Sequence, residues 1–179
     1  MTQKLDKTSF SKLLSFVLRH DPGSIGLTLD RGGWADVDDL LDKAGHQITR
    51  SELETVVQTS DKQRFALSPD GRRIRANQGH SIDVDLGLLA ACPPDVLFHG
   101  TVQKFLSAIL EHELTPQARH HVHLSPDTAT AQSVGARRGT PIVLRINAKA
   151  MHEAGYLFYR SQNGVWLTDH VPASFLMPS

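Results

Sequence analysis

Cysteine is almost missing from this 179-residue chain, which holds only Cys92. Neither an internal disulfide nor a cysteine-based zinc site can therefore staple the fold, and a reducing compartment is expected. Long apolar runs are missing too: no stretch approaches the roughly 20 residues that a membrane span needs. The opening MTQKLDKTSF carries charge where a secretory signal would have its apolar core. A cytoplasmic protein with no membrane partner is the expectation. An excess of either charge is absent, since 19 basic residues balance 19 acidic ones. Attraction to nucleic acid would have to come from local clusters of arginine. Neither GxGxxG nor GxxxxGK(S/T) occurs, which excludes the Rossmann and P-loop ways of holding a nucleotide. No repeat or low-complexity segment suggests a solenoid or linker.

What remains is ordinary globular material, 40% apolar and 21% charged, enough to close a core in one domain or two small ones. The pair Pro93-Pro94 interrupts helix and sheet alike. A boundary beside it separates 1–91 from 92–179. The first part holds 12 Lys+Arg, 13 Asp+Glu and three histidines; the second holds 7, 6 and seven, so histidine chemistry concentrates in the second.

In the first part, Phe10, Leu13, Leu14, Val17 and Leu18 recur at helical spacing behind Thr8 or Ser9 as cap. A second helix begins near Asp36 and stops at Gly45. A third follows Thr49, which forms a capping box with Glu52. RFALSPDGRRIRAN then reads as a hairpin about Pro-Asp-Gly. Three helices and a hairpin suggest a winged helix. The second part alternates strand VLFHGT, a helix over Val102 to His112, strand HVHLS, a short helix after Asp127, strand PIVLRI, and a hairpin at Asn163-Gly164. The expected class is α+β, a winged-helix lobe plus a mixed α/β lobe.

Several clusters could carry chemistry. Arg19 and His20 close the first helix, where cations also simply complement the terminal carbonyls. The window Asp61 to His80 is the most basic in the chain, with Lys62, Arg64, Arg72, Arg73 and Arg75. It reads as an RNA-facing wing or as solvated hairpin charge, and alternation puts Arg73 and Arg75 on one face. RHHVHLS would aim Arg119, His121 and His123 to one side of a strand. Imidazoles two apart can share a metal, but no cysteine or local carboxylate completes a zinc site. In HGT, Gly100 permits close backbone approach and Thr101 can cap the next helix or touch a ligand. Asp36, Asp38, Asp39 and Asp42 sit where carboxylates complement a helix N-terminus, so no acidic metal cage is expected. Arginines and histidines are left for metal-free phosphate chemistry.

LSFVLRH ending at His20, DKQRF around Arg64, ANQGHS at 76–81, HGT at 99–101 and RHHVHLS at 119–125, in this order, closely resemble the RNA 2′-phosphotransferase family over essentially the whole chain. The resemblance implies an N-terminal winged-helix RNA-binding lobe, an NAD-binding lobe of the ADP-ribosyltransferase kind, and an active site in a cleft between them. It implies an RNA bearing a 2′-phosphate and NAD as co-substrates, no metal, and a monomer. The 2′-phosphate passes to NAD in two steps through an RNA 2′-phospho-ADP-ribose intermediate. The products are 2′-OH RNA, nicotinamide and ADP-ribose 1″,2″-cyclic phosphate. The catalytic tetrad carries over to Arg19, His20, Arg64 and Arg119. Cofactor contacts carry over to His99, Gly100, Thr101, His123 and Ser125, and substrate contacts to Lys62, Arg75, Gln78, Gly79 and His80. The chain lacks the glutamate that marks protein-modifying ADP-ribosyltransferases. Alternatives are an ADP-ribosyltransferase capping nucleic-acid phosphate ends, a metal-independent ribonuclease, and a non-catalytic winged-helix binder.

Overall fold

The structure is a computed structural model that describes residues 6–60 and 62–177; Asp61 and the opening Met1 to Leu5 lie outside the described residues. The chain divides into two compact units, Met1–Gly87 and Leu88–Ser179. The division falls ahead of Pro93-Pro94 because the chain leading to the prolines already pairs within the second unit. The Ala91 amide donates to the Phe158 carbonyl at 2.7 Å.

In the first unit, α1 (Lys7–Arg19) buries Phe10, Leu14, Val17 and Leu18 on one face. Its cap is Asp6, whose carboxylate accepts from the amides of Thr8 and Ser9 at 2.9 Å. The expected cap at Thr8 or Ser9 is thereby corrected: both lie inside the first turn and donate to the true cap. A two-residue strand β1 (Ala35–Asp36) runs into α2 (Val37–Lys43), capped by the Asp36 side chain. The other acidic residues there are also engaged. Asp38 meets Arg50 at 2.8 Å, Asp39 meets Lys43 at 2.9 Å, and Asp42 meets His46 at 3.1 Å. Gly45 takes the left-handed conformation (φ 72°) that ends the helix. Next, α3 (Arg50–Gln58) has the Thr49–Glu52 capping box. Strands β2 (Phe65–Leu67) and β3 (Arg73–Ala76) form the hairpin, with β1 on the other edge of β3, all antiparallel. Phe65, Ile74 and Ala76 close the core against α1, α2 and α3.

The second unit runs β4 (Val96–Val102), α4 (Gln103–Glu111), β5 (Glu113–Leu114), β6 (Val122–Leu124), α5 (Thr128–Gly135), β7 (Pro141–Asn147), α6 (Ala148–Glu153), β8 (Tyr159–Arg160), β9 (Trp166–Thr168), β10 (Val171–Pro172) and β11 (Leu176–Met177). Strand order is β11-β7-β4 in one antiparallel sheet and β6-β9-β8 in another, with β5 paired to β10. Phe98 and Ser125 exchange backbone hydrogen bonds at 2.8 and 2.9 Å, joining β4 to the chain after β6. The architecture is therefore mixed, helices with small antiparallel sheets. Among the described residues, no helix is long and apolar enough to cross a membrane.

In the second unit α5 packs closely on β4. A Cβ placed on Gly100 would stand 1.8 Å from the Ala131 carbonyl oxygen, and one on Gly135 would stand 3.0 Å from that of Thr101. The Ala131 contact is to backbone and cannot swing aside. Gly100→Ala is expected to destabilise the second unit by about 3 kcal/mol or more, against about 1 kcal/mol for Thr49→Ala, which removes a cap. Urea unfolding of both variants measures the contrast.

Candidate functional site

Two clusters carry the residues singled out above, one in each unit. In the first, the end of α1 supplies Arg19 and His20. The last carbonyls of a helix have no partner within it, and here the Arg19 carbonyl accepts from the Ser81 amide at 2.9 Å. The Ser81 hydroxyl lies 2.8 Å from His20 Nδ1. One serine thus fixes the end of the helix and the plane of its terminal imidazole. The Arg19 guanidinium sits 5.9 Å from the centre of the Phe65 ring.

Arg64 precedes β2, and its carbonyl accepts from the Asn77 amide at 2.9 Å; Asn77 Nδ2 donates to the Gln63 carbonyl at 2.5 Å. Gln63 takes a left-handed φ of 39°. Such a conformation is uncommon outside glycine. Asn77 holds this strained corner from both sides. The segment 76–81 therefore does two jobs, anchoring the Arg64 corner at one end and the His20 ring at the other. Gln78 and Gly79 connect them, with Gly79 at φ 88°, and His80 is buried. His20, Lys62 and Arg64 line one open groove. Arg75 is placed differently: its guanidinium lies 4.6 Å from the centre of the Trp34 ring, with Arg73 at 5.3 Å on the same indole.

In the second unit, β4 brings His99 beside the RHHVHLS segment. The His99 Nδ1 lies 2.9 Å from the carbonyl of His123. A carbonyl only accepts, so Nδ1 carries the proton. Burial pushes the His99 pKa below 6.5, outweighing that hydrogen bond, and Arg138 and Arg119 push the same way. The ring is neutral. Arg119 Nη1 lies 3.2 Å from His123 Nδ1. A guanidinium only donates, so this nitrogen of His123 is the unprotonated one. Arg119 and His99 are thus the two ends of a short hydrogen-bonded chain in which both donate into His123, one to its ring and one to its carbonyl. Partial burial, then Arg138 and Arg137, also draw the Arg119 pKa below its usual value.

Ser125 is tied to this chain through its backbone pairing with Phe98. Gly100 is occupied by the α5 contact. Thr101 is buried within β4 and does not cap α4, whose N-cap is Val102. His121 meets the Tyr159 ring at 5.5 Å and Asp169 at 3.7 Å. Strand alternation fails there because β6 begins only at Val122.

Sequence reasoning missed Ser81, Asn77 and Trp34 as supports, and Arg137 and Arg138 as part of the cationic group. The run GARRG was visible, but no spacing rule ties it to Arg119. Arg119 and Arg138 raise the local positive potential around the His99 imidazole and Arg137 adds to it at Arg119, an arrangement suited to a phosphate or pyrophosphate. Among the described residues, no group of three or more His, Cys, Asp or Glu is placed to hold a metal.

The His99 pKa sets a direction for stability. Its ordinary value is 6.5 and the folded value is lower. Below pH 6.5 the unfolded chain takes up the proton first, so stability falls as pH drops toward the folded pKa and is unaffected by His99 above that window. The His121 pKa is lowered too, first by burial. Urea unfolding of His99→Gln across pH 5 to 7.5 is expected to show a shallower decline than the parent, and His121→Gln a decline shallowed in the same direction.

Comparison with known proteins gives a consistent result. A family model described as "RNA 2'-phosphotransferase, Tpt1 / KptA family" matches residues 5–170. The chain is 55% identical over 170 residues to an Acaryochloris marina protein named "Probable RNA 2'-phosphotransferase", covering 93% of this chain and 94% of the relative. It is 56% identical over 169 residues to a Streptomyces coelicolor protein of the same name, covering 93% and 92%. A Pseudomonas aeruginosa protein, also so named, is 54% identical over 176 residues and is covered to 96%, as is this chain.

Proposed function

This chain belongs to the RNA 2′-phosphotransferase family, and from that membership we propose how its residues remove a 2′-phosphate from RNA with NAD as acceptor. The observation that carries the reading is the family match across residues 5–170, which spans all five motifs. Three helices followed by a β-hairpin in the first unit support a winged-helix RNA-binding lobe over residues 1–91. A cationic cluster beside a neutral histidine supports an NAD-binding lobe of the ADP-ribosyltransferase kind over 92–179. A monomer in the cytoplasm is the working form that goes with this reading.

The donors of the second unit suit NAD chemically. His99 offers ring hydrogen bonding without added charge, and Arg137 with Arg138 offsets the charge of a pyrophosphate. His123 and Ser125 hold the backbone against which this group is arranged. When bound, NAD supplies a ribose carbon whose bond to nicotinamide is ready to break.

In the first step, an oxygen of the RNA 2′-phosphate bonds to that carbon as nicotinamide leaves. The phosphate is already anionic, so no base is required and orientation is the main demand. The transition state has the oxocarbenium character of glycoside cleavage. In the second step, the ribose 2″-hydroxyl attacks phosphorus and the bond to the RNA 2′-oxygen breaks. The hydroxyl proton ends on the departing RNA oxygen. Arg19, Arg64 and Arg119 neutralise the phosphate oxygens as charge builds, taking the part metal ions play in many phosphoryl-transfer sites. His20, its ring set by Ser81, relays the proton, a contribution of about 10²- to 10⁴-fold. Gln78, Gly79, His80, Lys62 and Arg75 act on the RNA side, Arg75 from its position over Trp34.

Incubation of labelled NAD with a 2′-phosphorylated oligonucleotide tests the whole reading: the expected products are nicotinamide, 2′-OH RNA and ADP-ribose 1″,2″-cyclic phosphate. Arg64→Ala or Arg119→Ala is expected to accumulate the ADP-ribosylated RNA, and the corresponding Lys variants to recover little, because an ammonium lacks the bidentate fork. A folded protein that releases no nicotinamide and leaves the RNA phosphorylated would refute the assignment.

A further inference from the structure

The outward side of α1 is built for something other than packing. Thr8, Lys12, Phe16 and His20 follow one another at four-residue intervals, one helical turn apart, with Lys7, Ser11 and Ser15 alongside. They form one wall of the open groove of about 590 Å³ that also holds Lys62 and Arg64. Its described lining contributes the cations Lys7, Lys12, Lys62 and Arg64 and no carboxylate. Phe16 keeps 47% of its surface exposed while the other large apolar residues of this helix turn inward. On the facing wall, the Ser60 hydroxyl oxygen is buried and has no hydrogen-bond partner. From Lys7 to His20 the row spans about 20 Å at 1.5 Å per residue.

We propose that this groove carries the single-stranded RNA that flanks the 2′-phosphate, with a neighbouring base stacked on Phe16 and backbone phosphates farther along meeting Lys12 and Lys7. The inference rests on the function proposed above, which puts the reacting phosphate at His20 and hence at one end of the row. A single strand alternates charge with exposed π-faces, and the groove answers each in turn with lysines, hydroxyls and one aromatic ring. A duplex would hide its base faces from Phe16. An acidic peptide would engage the lysines and leave the ring without a role.

The test compares kcat/KM for a 2′-phosphorylated dinucleotide with that for a longer single strand carrying the same junction. In the parent chain the longer strand is favoured. Lys12→Ala and Lys7→Ala are expected to shrink that preference, and each to make the dependence of strand affinity on salt shallower by about 0.7 in the log–log slope. Phe16→Ala is expected to raise KM for the longer strand roughly tenfold, with Phe16→Trp retaining parental values because a stacking face is kept. Equal loss in Phe16→Ala and Phe16→Trp, or a length preference untouched by all these variants while the parent turns over normally, overturns the groove assignment and leaves the function standing. A parent chain inactive on both substrates overturns the function and the groove with it.

Discussion

The first unit depends on how the carboxyl end of α1 is finished. A helix that stops inside a fold leaves carbonyls that must find donors. The Arg19 carbonyl finds one in Ser81, from a segment remote in sequence, and the same serine turns its hydroxyl to His20. Backbone satisfaction and side-chain orientation are thereby made a single event. The hydroxyl contact to the imidazole therefore comes with the bond that closes the helix. The next link, from Asn77 to Gln63 and Arg64, extends the same logic to a corner whose backbone needs outside support. A histidine and an arginine far apart in the chain are held by one short loop.

The second unit solves a different problem, how to keep a histidine uncharged beside arginines. Burial and the carbonyl of His123 settle the tautomer of His99, and the guanidinium of Arg119 settles that of His123. Each proton position follows from a partner with only one possible role. The close approach of α5 to β4 at Gly100 keeps the strand in place under this chain. Here the glycine serves packing, which in turn positions the polar groups.

Legibility in the sequence followed the range of the interaction. The Thr49–Glu52 capping box, the Pro-Asp-Gly hairpin, strand VLFHGT and the Asn163-Gly164 turn are written within a few residues, and each is found. The cap of α1 was misread because Thr8 and Ser9 are as competent locally as Asp6, and only the geometry of the first turn chooses. Strands β1, β5, β10 and β11 have two residues each, too few to show a period; their partners define them. The ordered motifs single out Arg19, His20, Arg64 and Arg119. Ser81 and Asn77 stand inside ANQGHS, but no local pattern encodes their contacts with Arg19, His20, Gln63 and Arg64, and the repulsion of Arg119 by Arg137 and Arg138 depends on the fold.

That gathering of guanidiniums has a practical side. Cations that lower one another's pKa welcome any small oxyanion, whether or not it belongs to a substrate. Sulfate or inorganic phosphate in a buffer would find such a place, so the choice of salt anion, at constant ionic strength, becomes a variable in any measurement made on this protein.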